Sequence, residues 1–215
     1  MAGKRVGRRL PQLFVGLSCY GLSNALLVRA GLGLDPWDVL HQGIAKHIGL
    51  AIGTVVIIVG VLVLLLWIPL RQWPGIGTVS NVVVVGVSMN VSLDVLPAPH
   101  ALVWRVAVMA SGIVLCGLAT GMYIGANLGP GPRDGLMTGF ARRTGRSIRL
   151  TRTLLEVSVL VTGWFLGGTV GVGTVLFAVA IGPLAQVFLR LFDLDSRAER
   201  RTSRAPAPVG ATAIT

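Results

Sequence analysis

Gly31-Leu-Gly-Leu-Asp-Pro-Trp-Asp-Val-Leu40 and Asn127-Leu-Gly-Pro-Gly-Pro-Arg-Asp-Gly-Leu136 are the two stretches that organise this chain. Aligned without a gap at an offset of 96, they place Leu32-Gly33 on Leu128-Gly129, Pro36 on Pro132 and Asp38 on Asp134. The register persists on both sides. Gly21-Leu22 falls on Gly117-Leu118, and Leu40, Gly43, Ala45, Gly49 and Ile52 fall on Leu136, Gly139, Ala141, Gly145 and Ile148. Farther on, Gly75, Gly77 and Thr78 meet Gly171, Gly173 and Thr174. Apolar coincidences are common in hydrophobic chains, but a Pro-x-Asp and a Gly-x-Gly-Thr sharing one ungapped register mark an internal duplication.

What is duplicated is apolar. Of the 215 residues 53% are hydrophobic and only 13% charged, with a mean hydropathy of +0.77, whereas soluble domains carry roughly 25% charged residues. Six apolar stretches, 13–28, 52–70, 79–96, 103–126, 154–166 and 172–189, occupy about 120 positions at some 20 residues per span. That leaves loops and tails and excludes a separate catalytic domain. The fold expected is an all-α integral membrane protein of six transmembrane helices. It is organised as a basic N-terminus (1–12), repeat A (13–96), repeat B (97–192) and a disordered tail (193–215), rich in Ala and Pro.

The net charge of +11 would suggest nucleic acid in a soluble chain; here no nucleic-acid partner is expected. With both termini cytoplasmic, 16 of the 19 basic residues lie inside, leaving Arg29, Lys46 and Arg105 outside, as the positive-inside rule requires. The basic N-terminus has the outline of a signal peptide, but the run continues past a typical h-region, contains Ser23, Asn24 and Arg29 and lacks a clear small-x-small cleavage site, so it reads as an uncleaved span. Three spans per repeat start the second copy from the opposite face, so the repeats are inverted, a recurring plan of secondary transporters. Cys19 and Cys116 lie within apolar stretches and read as packing thiols.

The segment 31–40, followed by Gln42-Gly43 and the entry to span 2 at 49–54, resembles the YczE-like bacterial membrane proteins, relatives of the YitT group, and 127–136 resembles the corresponding second element. The resemblance covers about residues 14–192. It implies a multi-pass protein of the bacterial plasma membrane and supplies neither substrate nor residue roles.

In each Pro-x-Asp segment the proline suits a first helical position, and the following aspartate favours the helix dipole; Asp35 can cap the first helix ahead of Pro36. Each opens a short helix, 36–49 or 132–145, of about 21 Å at 1.5 Å per residue, too short to span. Trp37, Leu40, Ile44 and Ile48 share one face of the first. Two readings stand open: an amphipathic helix at the interface, or re-entrant elements whose N-termini line a central site with Asp38 and Asp134 as symmetric contacts.

Glu156 is either a functional carboxylate or the partner of Arg152 one turn away. Asn90 and Gln186 are equivalent positions in spans 3 and 6, as are Asn24 and Thr120 in spans 1 and 4; they suit hydrogen bonds between helices or a polar path. Gly117, Gly121 and Gly125 mark close helix packing, and Thr78 and Thr174 are expected to cap spans 3 and 6. Arg142, Arg143 and Arg146 could meet anionic lipid or an acidic cytoplasmic partner. His41, His47 and His100 lack metal-ligand spacing, and no nucleophile elbow or phosphate loop occurs. No enzyme, metal or cofactor is expected.

The function expected is transport of a small solute through the bilayer, with the substrate unknown. The alternatives are a scaffold or assembly factor presenting its arginine loop, or a substrate-binding subunit of a vitamin uptake complex, which would lack the inverted duplication.

Overall fold

A computed structural model describes residues 2–192, with side chains from Gly7 onward; the expectation for 193–215 lies outside the described residues. Eight helices follow in order: α1 (Ala2–Ala30), α2 (Pro36–Ile48), α3 (Ile52–Trp67), α4 (Ile76–Val95), α5 (Leu102–Gly125), α6 (Pro132–Thr144), α7 (Ile148–Phe165) and α8 (Val172–Phe192). No strand occurs among the described residues. The first helix begins well before residue 13, so the basic N-terminal segment is not separated from the first apolar stretch by any break.

Four helices are long and apolar enough to cross a membrane, α1 (from Gly7), α4, α5 and α8, or five if α2 and α3, bent by 112°, count as one broken span. Helix α3 has 16 residues, about 24 Å. Helix α7 has 18 and carries Arg149, Arg152 and Glu156. The outside of the bundle is apolar: Val79, Val83, Val87 and Val91 form an exposed stripe along α4, and Val172, Val175 and Val179 another on α8. Soluble proteins do not leave such continuous apolar faces to water, and a bilayer covers them without cost.

The short helices start and stop as their sequences dictate. Asp35 accepts from the backbone N–H of Trp37 and Asp38 at the start of α2, with Pro36 in the first turn, and Gly49 ends the helix in the left-handed conformation (φ 67°). Helix α6 likewise has Pro132 in its first turn and ends at left-handed Gly145 (φ 67°), but its N-cap is Gly131, which supplies no side-chain bond.

Packing interleaves the two halves of the chain. Helices α1 and α5 form the centre, flanked by α4 on α1 and α8 on α5, while α2 packs on α7 and α6 on α3. The small-residue rows permit this closeness: a Cβ at Gly21 would meet the Val85 carbonyl oxygen at 2.5 Å, and one at Gly121 the Phe188 backbone at 2.6 Å. The correspondence is not complete. Helix α3 lies along α4, but α7 and α8 form no comparable face.

The Gly-x-Gly-Thr elements lock the halves together. Gly77 N–H donates to the Leu128 carbonyl (2.9 Å) and Gly173 N–H to the Leu32 carbonyl (2.8 Å). The chain approaches this closely because Gly33 (φ +124°) and Gly129 (φ +130°) adopt a backbone shape that side chains disfavour, and a Cβ there would strike Thr174 or Thr78 at 2.7 and 2.8 Å. The threonines are not N-caps, as expected from sequence, but sit three residues later. Thr78 Oγ1 accepts from Gly75 N–H (3.2 Å) and donates to the Pro130 carbonyl (2.8 Å), while Thr174 Oγ1 accepts from Gly171 N–H (3.3 Å). Thr78→Val is therefore expected to cost about 1–2 kcal/mol, for two bonds of roughly 1 kcal/mol or less each. Thermal unfolding in detergent checks this; no shift in Tm would mean that the turn holds without the hydroxyl.

Candidate functional site

The first turns of α2 and α6, from opposite halves of the chain, meet at the centre of the bundle. Asp35 (2% exposed), Asp38 (0%) and His41 (2%) lie on α2 or at its cap. His41 Nδ1 is 2.9 Å from Asp38 Oδ1. Arg133 of α6 reaches across with Nη1 3.6 Å from Asp35 Oδ1 and Nη2 3.7 Å from Asp38 Oδ1. Its guanidinium lies 5.1 Å from the centre of the Trp37 ring, a cation–π contact. Trp37 and Arg133 are the residues that the offset of 96 equates, so the departure from the duplication supplies the ion pair.

The first turn of α2 faces the interior of the bundle: Trp37, Asp38, Val39, His41 and Ala45 are buried, while Ile48, assigned to the apolar face, is 52% exposed. Desolvating a charged first turn is tolerable because Arg133 arrives from the other half.

Two cavities adjoin the cluster, and Tyr20, Trp37, Tyr123, Arg133 and Asp134 line both. The smaller, about 80 Å³, runs between α3 and α4 past Val56, Gly60, Asn81 and Val85. The larger, about 250 Å³, runs between α7 and α8 past Arg152, Glu156, Phe177 and Ile181. Those two sets of four are equivalent positions at the offset of 96. Where α3 packs on α4 the passage is narrow; where α7 and α8 stand apart it is wide.

Of the residues singled out from sequence, Asp134, Glu156, Gln186, Asp35 and Pro36 line the larger cavity. Tyr123 donates its hydroxyl to Asp134 Oδ2 (3.0 Å), and Glu156 accepts from Arg152 Nε at 2.9 Å, the one-turn pairing expected from sequence. Asp38 lies one residue back from the cavity, beside His41 and Arg133. Pro132 turns its carbonyl to Trp67 Nε1 (3.1 Å) and lines the smaller cavity.

Asn90 and Asn24 are not part of the site. Asn90 holds Gly53 N–H (2.8 Å) and Thr54 Oγ1 (3.2 Å), tying α4 to α3. Asn24 is buried in α1 beside Ser23 Oγ (3.4 Å). Arg142 and Arg146 are exposed, and Arg143 donates to the Pro69 carbonyl. Cys19 and Cys116 are free thiols. Among the described residues no group of three His, Cys, Asp or Glu is placed to hold a metal ion.

Sequence reasoning missed Arg133, His41, Tyr20 and Tyr123. Arg133 was absorbed into the count of inner basic residues, although its place inside the duplicated Pro-x-Asp was a signal. The spacing of Asp38 and His41, one helical turn apart, was another.

The family of unknown function DUF6198 matches residues 7–190. The chain belongs to that family. Its relatives include an uncharacterized protein of Haemophilus influenzae, 42% identical over 179 residues and covering 83% of this chain and 82% of that one. The uncharacterized membrane protein YczE of Bacillus subtilis is 35% identical over 171 residues, covering 79% of this chain and 80% of YczE. The uncharacterized protein YyaS of the same organism is 27% identical over 183 residues, covering 83% and 91%. The resemblance to YczE-like proteins read from 31–40 thus holds over most of the DUF6198 fold, and the matched region contains the whole polar cluster. No solved structure matches the chain.

Proposed function

We propose that the chain is a small-solute transporter of the bacterial plasma membrane that works by alternating access about the Arg133 cluster. In this reading α1, α3, α4, α5, α7 and α8 are six spans with both termini cytoplasmic. The two halves are inverted repeats, and α2 and α6 are re-entrant helices whose N-terminal turns meet in the middle. Arg29, Lys46 and Arg105, assigned to the outer side, all donate to backbone carbonyls at loops or helix ends. That grouping supports the orientation. No catalytic step is involved.

The observation that carries the reading is the pair of cavities. Both end on the same five side chains and are lined at equivalent positions, yet one is constricted and the other wide. Exchange of conformation between inverted repeats would open α3 from α4 as α7 closes on α8.

The test is distance measurement on the full chain in vesicles, with one spin-label pair on α3 and α4 (Leu62 and Val87) and one on α7 and α8 (Val157 and Val179), all exposed. Two populations in each pair, shifting in opposite directions, are expected. A single narrow distance in both would defeat alternating access.

A second reading rests on the rim of α6. Arg71, Arg142 and Arg143 line a shallow cleft of about 410 Å³, which suits the headgroup of an anionic lipid or an acidic cytoplasmic partner and a scaffold role.

A further inference from the structure

The fixed charges around the larger cavity do not balance. Arg152 is matched by Glu156 at 2.9 Å. Arg133 faces two carboxylates, Asp35 and Asp38, and Asp134 adds another, held by the neutral Tyr123 hydroxyl. Four carboxyl groups against two guanidiniums leave two acidic groups without a basic partner. Asp35 lines the cavity and is buried, yet its Oδ2 has no hydrogen-bond partner, and neither has Oδ2 of Asp38 behind it. Acidic groups in excess within apolar helices are neutralised by protons or by a bound cation, and the two unpartnered carboxyl oxygens leave room for the second.

We propose that the cavity binds a small organic cation, an ammonium-bearing solute, with Asp134 and Asp35 as its counter-charges. The inference rests on the transport reading for the cavity being a substrate site. The walls suit such a solute: Tyr20, Trp37, Tyr123 and Phe177 offer aromatic rings, which attract cations through their faces. Trp37 Nε1 is buried without an acceptor and can donate to a hydroxyl on the solute. A volume of about 250 Å³ far exceeds the roughly 15 Å³ needed by one water, so a molecule of several heavy atoms fits. An anionic solute would have to win both arginines from carboxylates that already hold them.

Choline, which carries both a cationic head and a hydroxyl, is the probe. It is titrated into the full chain in detergent and followed by calorimetry and tryptophan fluorescence, with succinate as the anionic comparator and sodium chloride at matched ionic strength. Saturable choline binding is expected, weakened roughly tenfold or more by Asp134→Asn; the amide oxygen still accepts from Tyr123, so thermal stability should be retained. Should that variant unfold, Asp35→Asn replaces it, since asparagine also caps a helix. Absence of choline binding, preference for succinate, or equal affinity in a folded variant would overturn the inference. Choline binding without alternating distances would remove the transport reading and leave the ligand class; alternating distances without choline binding would remove the ligand class alone.

Discussion

Arg133→Gln is expected to destabilise the protein by about 3–5 kcal/mol, the range for removing one partner of a buried ion pair. The guanidinium lies within 4 Å of two aspartates that are 2% and 0% exposed, so its loss leaves both carboxylates buried with no counter-charge. Arg133→Lys should recover only part of the loss, because a single ammonium cannot reach in two directions as the planar fork does. Asp38→Asn in the Arg133→Gln background should recover more, because it removes the charge that had become uncompensated. Equilibrium unfolding of the four proteins in detergent checks this. A double variant no more stable than Arg133→Gln would show that the arginine acts by packing on Trp37 and not by charge.

Gly135→Ala should cost about 1–3 kcal/mol as an overpacked contact. A Cβ at residue 135 would lie 2.0 Å from Trp67 Cζ2 and 2.4 Å from Cη2. The ring has little freedom to move away, being 1% exposed and tied through Nε1 to the Pro132 carbonyl. Because Trp67 and Gly135 hold α6 against α3, the strain falls on the helix that carries Arg133. Trp67→Phe in the same chain should recover part of the loss by retracting the ring, and a melting series on the two single variants and the double measures the coupling. Additive losses would mean that α6 shifts as a body.

Local structure was legible because its causes are local. Asp35-Pro36 and Gly49, Pro132 and Gly145 set the bounds of α2 and α6 through capping and positive φ, and these residues can be recognised without knowing any neighbour. The apolar stretches marked α1, α4, α5 and α8 as membrane helices by length and hydropathy. The role of the Gly-x-Gly-Thr elements was legible only in part: a turn was evident, but not that each turn grips the loop ahead of the other short helix.

The site was harder to see because it is a contact between distant segments. Asp38 and Asp134 were chosen for their equivalence, yet the ion pairing lies where equivalence fails, with Arg133 opposite Trp37, Asp35 and Asp38. Glu156 and Gln186 reach the same cavity only because α7 stands off from α8, while Asn90, equivalent to Gln186, is used up bonding α4 to α3. By itself the sequence determined that the chain is helical, the ends of the short helices α2 and α6, and the correspondence between the two halves, since propensity, capping and hydropathy act within a few residues. Only the tertiary structure decided which charges share a buried space and which passage is open, because those depend on α2 packing on α7 and α6 on α3, pairings between segments far apart in the chain.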